Sequence, residues 1–469
     1  MNHSTPYDLI VVGSGMAGQC TALAIAQLGG RVLVLEKTSE FGGSTLMCAG
    51  AFAFAGTDIQ KKNKIDDSAE ILEEDLLKAG EYINDRSLVK VYVEHQYSAY
   101  RWLEGLGLIF DRVGLSGNQS VPRNHGSDPI RALALIHQHA LDTGLVTFQK
   151  QTQATQLITQ GDDEHKRVIG VRLSNEKSIY SNAGVMLASG GFSRATDIVQ
   201  KFAPHLLKAK PMGGYGNTGD GLRMGWALGA DVADMGFTKG TFGAVVDAAL
   251  PGHEKTVPLL IAAMYCGAIV VNQQGQRFID ESQSYKEIGE ACLEQDDAIG
   301  FQIFDQRVMD QSTDMPNNRD FQAAHNAGVL HKANTISELA QLLKIPASQL
   351  LNTIDAYNKA CQGQSKDQWG RTSLSSGYGK PTRVDQGPFY GVKCTTGLTT
   401  TFSGLRTDTH ARVLDVFNKP ILGLYAAGEI TGGFHGKHYM SGTSLGKGCI
   451  FGRLAAQDAM KHIQNKISV

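Results

Sequence analysis

The chain has 469 residues, 42% of them hydrophobic and 54 of them glycine, enough for two substantial cores joined by many tight turns. Its 44 Lys+Arg against 46 Asp+Glu leave a formal net charge of -2, which excludes a global electrostatic basis for binding nucleic acid or an anionic membrane. The seven cysteines (Cys20, Cys48, Cys266, Cys292, Cys361, Cys394 and Cys449) are scattered without CxxC spacing, against haem attachment, an iron–sulfur centre or a zinc site.

In chain order, residues 1–6 carry neither a basic region nor an apolar leader. No apolar stretch approaches the roughly 18 residues of a membrane span, so a cytoplasmic chain without a transmembrane segment is expected. Residues 7–12 read as a strand ending on Gly13, residues 16–28 as an alanine-rich helix, and residues 31–35 as a second strand ending on Glu36. The run Lys61, Lys62, Lys64, Asp66, Asp67 reads as the solvated start of a helical segment reaching Leu106. Residues 146–188 read as a small β-meander, with polar turns at 161–166 and near Asn175, leading to Gly190-Gly191. After Asp231 mixed helices and loops continue to about Arg383, the signature of an inserted domain. Strands return at 411–414 and 423–429, followed by a helix over about 444–461. The expected fold is α/β: a Rossmann-like nucleotide-binding domain in two parts, 1–235 and 384–469, with a separate domain inserted at 236–383.

Gly13-Ser14-Gly15-Met16-Ala17-Gly18 is a GxGxxG motif in its proper strand–turn–helix setting. The first glycine permits the turn, the second lets backbone N–H groups approach a pyrophosphate, and the third lets helix and strand close up. The helix N-terminus adds donors and partial positive charge. Glu36 can accept hydrogen bonds from a ribose diol and disfavours a 2′-phosphate, against NADP. A second glycine loop, Phe41-Gly42-Gly43-Ser44-Thr45, followed by Gly50, points to FAD over NAD, because an isoalloxazine ring extends past the pyrophosphate and must lie against backbone. Gly190-Gly191, the segment 218–221 with Asp220, and the segment 426–429 with Glu429 are further turns where chain could return to the same cofactor.

These segments together resemble the fumarate reductase and succinate dehydrogenase flavoprotein superfamily along nearly the whole chain. The resemblance implies FAD, a flavin domain split by a mobile capping domain, and desaturation or reduction of a C–C bond next to an electron-withdrawing group. It also implies cofactor contacts at Lys37, Ala154, Ser444 and Leu445 beside those above. Members that tether FAD do so through a histidine in the second glycine loop; Ser44 and Thr45 stand there, so non-covalent FAD is expected. Relative to the C4-dicarboxylate enzymes, Tyr285 stands where the proton-donating arginine would be and Tyr439 where a carboxylate-binding arginine would be. Fumarate and succinate would lose their counter-charges. Tyr439-Met440-Ser441 followed by Gly442-Thr443-Ser444-Leu445-Gly446 is most similar to the 3-ketosteroid Δ4-(5α)-dehydrogenases, whose Tyr-x-Ser is catalytic; the Δ1 enzymes carry Tyr-x-Gly.

The implied reaction removes a proton beside a carbonyl and passes a hydride to flavin N5. A phenol of ordinary pKa about 10 can serve where a hydroxyl network and a helix N-terminus favour its anion. Tyr285 and Tyr439 are the candidates for base and carbonyl ligand, with the base left open between them. Ser441 is the candidate relay to solvent, and His435 and Thr443 are candidate substrate contacts. The helix starting near Ser444-Leu445 would favour negative charge on the reduced ring. The expected partners are a steroid or other cyclic ketone and an external acceptor, a quinone or a carrier protein. A Δ1 desaturase, a desaturase of a smaller cyclic ketone such as an oxocyclohexanecarboxylate, and an enone or acrylate reductase are the alternatives. A flavin-bound structural or sensing protein is the non-enzymatic one.

Overall fold

A computed structural model describes residues 7–162, 165–246, 260–313, 318–375 and 379–467, with side chains to 464. The expectations for residues 1–6 and for the centre of the 161–166 turn lie outside the described residues. The chain divides into two compact units: Met1–Ala203, Gly213–Thr238 and Thr400–Val469 form the first, Pro204–Met212 and Lys239–Thr399 the second.

In the first unit β1 (Leu9–Val12), α1 (Met16–Gln27) and β2 (Val32–Leu35) make the expected βαβ start. With β3 (Gly184–Leu187) and β4 (Pro420–Ala426) they build one sheet, ordered Val146–Gln149, β2, β1, β3, β4, Arg167–Leu173, Ala154–Gln160. Leu9 pairs in parallel with both Val32 and Gly184. β1, β2 and β3 are buried at every residue, as parallel strands covered on both faces must be, which explains their unbroken Val/Leu/Ile runs. One cover is α2 (Thr443–Ile467), longer at both ends than expected, packed on α1. Glycine permits the approach: a Cβ at Gly452 would lie 2.7 Å from Ala17 O.

Two expectations in the helical region change. The segment after Asp66 is two helices, Ala69–Ala79 and Arg86–Gly105, because Glu81 and Tyr82 turn to positive φ and Asp85 caps the second. The residues before it are not all solvated: the Asp67 side chain is inaccessible against Arg123, with Nη2–Oδ1 at 2.8 Å, and the same guanidinium meets Asp75 at 2.6 Å. A charge run read locally hides the partner 56 residues away.

The second unit centres on Phe389–Leu398, paired antiparallel with Ile299–Asp305, Leu330–Ala333 and Thr241–Val245 and parallel with Lys210–Pro211. Alternation along it feeds two cores: Tyr390, Val392 and Cys394 join Phe304 and Phe321, while Phe389 joins Leu339 and Leu343. The boundary expected at 383 precedes this strand, whose apolar composition reads in isolation like a strand of the nucleotide sheet.

Candidate functional site

The loops at the C-terminal ends of β1, β2 and β3 converge, as open parallel sheets require of a nucleotide crevice. Gly13 has φ +105, and a Cβ there would sit 2.3 Å from Ala188 O; a Cβ at Gly18 would sit 2.0 Å from Gly13 O. Both therefore serve strand–turn–helix packing. Gly15 differs: its nearest neighbours would be Thr45 Oγ1 at 3.5 Å and Gly42 O at 3.6 Å. It is the α1 N-cap without a side-chain cap, while Met16 N–H donates to Thr45 Oγ1 at 3.0 Å. Met16 and Ala17 are buried and offer only backbone.

Glu36 is buried at the end of β2. Its Oε2 accepts from Ser14 Oγ at 2.6 Å and Ser14 N–H at 3.3 Å, and its Oε1 from Thr38 N–H and Oγ1, both at 2.9 Å. Thr38 Oγ1 has one proton and lies nearer Glu40 O, at 2.7 Å, so a ribose diol would be accepted at Oε1 in its place. Gly42 N–H donates to Ser14 Oγ at 3.1 Å, joining the second glycine loop to the first. Lys37 and Asp220, both expected at the cofactor, pair with each other at 2.8 Å; Lys37 Nζ also donates to Thr218, and Gln153 donates to Asp220. Burial alone would raise the Asp220 carboxyl, but the bonds from Lys37 and Thr218 hold it below its ordinary value. Ala154 starts the neighbouring strand, with its side chain buried.

Glu429 is the bolt of the cradle. Its Oε2 accepts from Asn217 Nδ2 at 3.0 Å, its Oε1 from Thr401 N–H at 3.1 Å, and Asn217 Nδ2 also reaches Ser44 Oγ at 3.2 Å. Gly190 and Gly191 lie flush on this bolt: a Cβ at Gly191 would be 2.2 Å from Thr401 Oγ1 and 2.5 Å from Glu429 Oε1. Burial pushes the Glu429 carboxyl up, against the hydrogen bonds it accepts. Gly43 faces open space, and Gly50 at φ +68 is wedged on Ser127 O. Converging glycine backbone, an uncapped helix start and a carboxylate at the end of β2 fit FAD. Gly15 and Met16 would hold its pyrophosphate, Glu36 its ribose, and Gly42 to Thr45, Gly190 and Gly191 its ring system.

Below β4 the chain makes an aromatic turn into α2. Tyr439 stacks on Phe402 with centroids 4.6 Å apart and planes 16° apart, and His435 meets both rings edge-on. The Tyr439 hydroxyl accepts from Gly442 N–H and from Ser444 Oγ, both at 3.2 Å; neither bond uses the phenol's own proton. Burial raises this phenol above its ordinary pKa although those two donors pull the other way. Ser444 is exposed, whereas Ser441 is 6% exposed, so the solvent-open hydroxyl beside Tyr439 is Ser444's. Thr443 is fully buried: its hydroxyl donates to Met440 O at 2.7 Å and so accepts from His435 Nε2–H at 2.9 Å, fixing the ring tautomer. It orients His435 instead of presenting its own hydroxyl. Leu445 is buried in the first turn of α2. The nearby cations are committed: Lys437 and His438 pair with Glu81, and Lys447 Nζ donates to Thr431 O at 2.8 Å.

Tyr285 belongs to the second unit. It is the first residue of the helix Tyr285–Leu293, capped by Ser284, whose hydroxyl also meets Glu287. Its ring lies 6.4 Å from that of Tyr265, and Lys286 Nζ is 5.8 Å from its centroid. Sequence reasoning missed Asn118 and Gln119, which donate to Tyr439 O at 2.8 Å and Ser441 O at 2.9 Å and clamp the turn. It also missed Phe402, Asn217, Thr401 and Lys447. Only their nearness to glycine clusters could have flagged them.

A convergent glycine cradle on a parallel sheet, with an aromatic turn leading into its covering helix, defines a flavin-dependent oxidoreductase. The chain belongs to the FAD binding domain family, whose model matches residues 8–445. It is 29% identical to a probable fumarate reductase of Shewanella frigidimarina over 98% of this chain and 76% of that protein. It is also 29% identical to a vinyl phenol reductase of Lactiplantibacillus plantarum over 97% of each. Among solved structures it resembles the open conformation of a flavocytochrome c3 fumarate reductase, with TM-score 0.83 and 27% identity over 98% of this chain and 79% of that one. It further resembles the 3-ketosteroid-Δ4-(5α)-dehydrogenase of Rhodococcus jostii, with TM-score 0.74 and 26% identity over 98% of both. The protein is an FAD-dependent oxidoreductase acting on CH–CH groups. Among the described residues no helix is long and apolar enough to cross a membrane.

Proposed function

We propose that the protein desaturates a C–C bond next to the carbonyl of an uncharged cyclic ketone, with a 3-ketosteroid taken at its Δ4-(5α) bond as the leading substrate. The observation that carries this reading is Tyr439: a half-buried phenol, held protonated, whose oxygen accepts two hydrogen bonds while its own proton is used by neither. Such a group polarises a carbonyl. Its neighbours Phe402 and His435 make its surroundings aromatic, and the Lys437 and Lys447 ammonium groups of the turn are bound elsewhere in the protein. The likeness to the 3-ketosteroid-Δ4-(5α)-dehydrogenase supports the substrate class.

Bound FAD supplies the two-electron acceptor for the hydride, without a covalent tether at Ser44 or Thr45. Tyr439 holds the carbonyl oxygen, and the exposed Ser444 hydroxyl beside it takes the role of exchanging protons with solvent. A quinone or carrier protein then accepts the electrons, and the chain works in the cytoplasm. Smaller cyclic ketones and Δ1 desaturation use the same chemistry.

One observation favours the reverse direction as a second reading. A phenol raised by burial is better placed to donate a proton than to take one, and the curated relatives are named as reductases. Anaerobic mixing separates the two. Bleaching of the yellow protein by saturated 3-ketosteroids or cyclohexanones supports desaturation. No bleaching with any cyclic ketone, together with reoxidation of the dithionite-reduced protein by an acrylate or a vinyl phenol, overturns it.

A further inference from the structure

Lys447 is a lysine in the first turns of α2, 3% exposed. Its Nζ donates to the carbonyl of Thr431 at 2.8 Å and lies 5.9 Å from the centre of the Phe434 ring. Among the described residues the charged groups acting on it are the carboxylates of Asp234 and Glu429, and neither forms a direct ion pair with it. Asp234 receives Gly433 N–H at 2.7 Å and feels Asp85 beyond it; Glu429 accepts from Asn217 and Thr401 in the flavin cradle, and Asn217 in turn reaches Ser44. One ammonium therefore sits behind two carboxylates that hold the segment from Gly428 to His435 in place.

We propose that Lys447 is the internal counter-cation of the flavin cradle: its positive charge compensates Glu429 and Asp234, so that FAD affinity depends on that charge. This positioning role rests on the FAD site and not on the substrate reading above. The energetic direction supports it. Burial drives the Lys447 ammonium down to about 8, well below an ordinary lysine, against the pull of Asp234 and Glu429. A cation whose folded pKa is depressed opposes folding while it is charged, and that cost is relieved progressively as pH rises from the folded value toward the ordinary lysine value. An apolar side chain of similar length would spare the fold this cost. The charge is thus retained against stability, and Glu429, laid directly on Gly191, is what it acts on.

The sign for FAD is opposite to that for folding. Above pH 8 Lys447 loses its proton, the cluster goes from one net negative charge to two, and an anionic dinucleotide is repelled.

The test measures FAD dissociation constants for the deflavinated full chain between pH 7 and 9, with thermal unfolding of the same apoprotein. In the native protein FAD binding should weaken about tenfold across that range, with a midpoint near 8. Lys447→Met should bind FAD weakly and without pH dependence, while its apoprotein unfolds at the native temperature or above. Lys447→Arg, charged throughout, should restore tight, pH-independent binding. Native FAD affinity in Lys447→Met at pH 7 would overturn the proposal. So would a native pH profile in that variant, or an apoprotein melting temperature lowered in step with the lost affinity, which marks a packing role.

Discussion

At the scale of single residues, Tyr439 is the side chain on which the proposed chemistry depends. Replacing it with Phe keeps the Phe402 stack but removes the acceptor for Gly442 and Ser444 and the proton proposed for the substrate carbonyl. Turnover should fall by about 10²–10⁴-fold, the usual worth of a positioned acid or base, with flavin content unchanged in the absorption spectrum. Unchanged turnover removes Tyr439 from the mechanism. The pH profile reads its role. Because burial raises this phenol, a donor stays protonated through neutral pH and its limb falls only on the far alkaline side. Were Tyr439 the base, rate would climb about tenfold per pH unit from neutrality upward.

At the scale of elements, the three glycines of the first turn divide by function. A Cβ on Gly18 collides with Gly13 O at 2.0 Å, so Gly18→Ala pries α1 off β1 and should cost about 1–3 kcal/mol of stability with or without cofactor. A Cβ on Gly15 meets nothing closer than 3.5 Å, so Gly15→Ala should melt like the native apoprotein and lose FAD affinity alone. Chemical denaturation and flavin titration on both variants check the split, and equal destabilisation by the two would refute it. The GxGxxG motif was legible because strand, turn and helix are local in sequence. The aromatic turn was half legible: Tyr439 stood out against the resemblance, but its clamp by Asn118 comes from 321 residues away.

At the scale of the whole molecule, two units with their own cores imply separable responses. In the second unit Arg277 is bound by Glu281 and Asp367, both at 2.6 Å, with all three side chains nearly inaccessible. Arg277→Met leaves Asp367 without its guanidinium and Glu281 with Arg371 alone at 3.3 Å, and should cost about 3–5 kcal/mol. FAD at a hundredfold excess over its Kd should add about 2.7 kcal/mol to the first unit. Calorimetry should show Arg277→Met lowering one transition and FAD raising another. A single transition moved by both changes would show that the units unfold together.

By itself the sequence determined what short-range order carries: the βαβ start, the GxGxxG turn, the carboxylate at the end of β2, and tyrosines where relatives of the dicarboxylate type have arginines. Those features depend on residues within a turn or two of one another, where steric rules act directly on the chain. The tertiary structure alone decided which side chains share a space. It paired Lys37 with Asp220, buried the Asp67 side chain on Arg123, turned Thr443 inward to His435, set Ser444 against the Tyr439 hydroxyl, and buried Lys447 on Thr431 O. The reason is physical: side-chain direction and burial follow from how distant segments pack, and a buried charge or hydroxyl takes whichever partner that packing brings within reach.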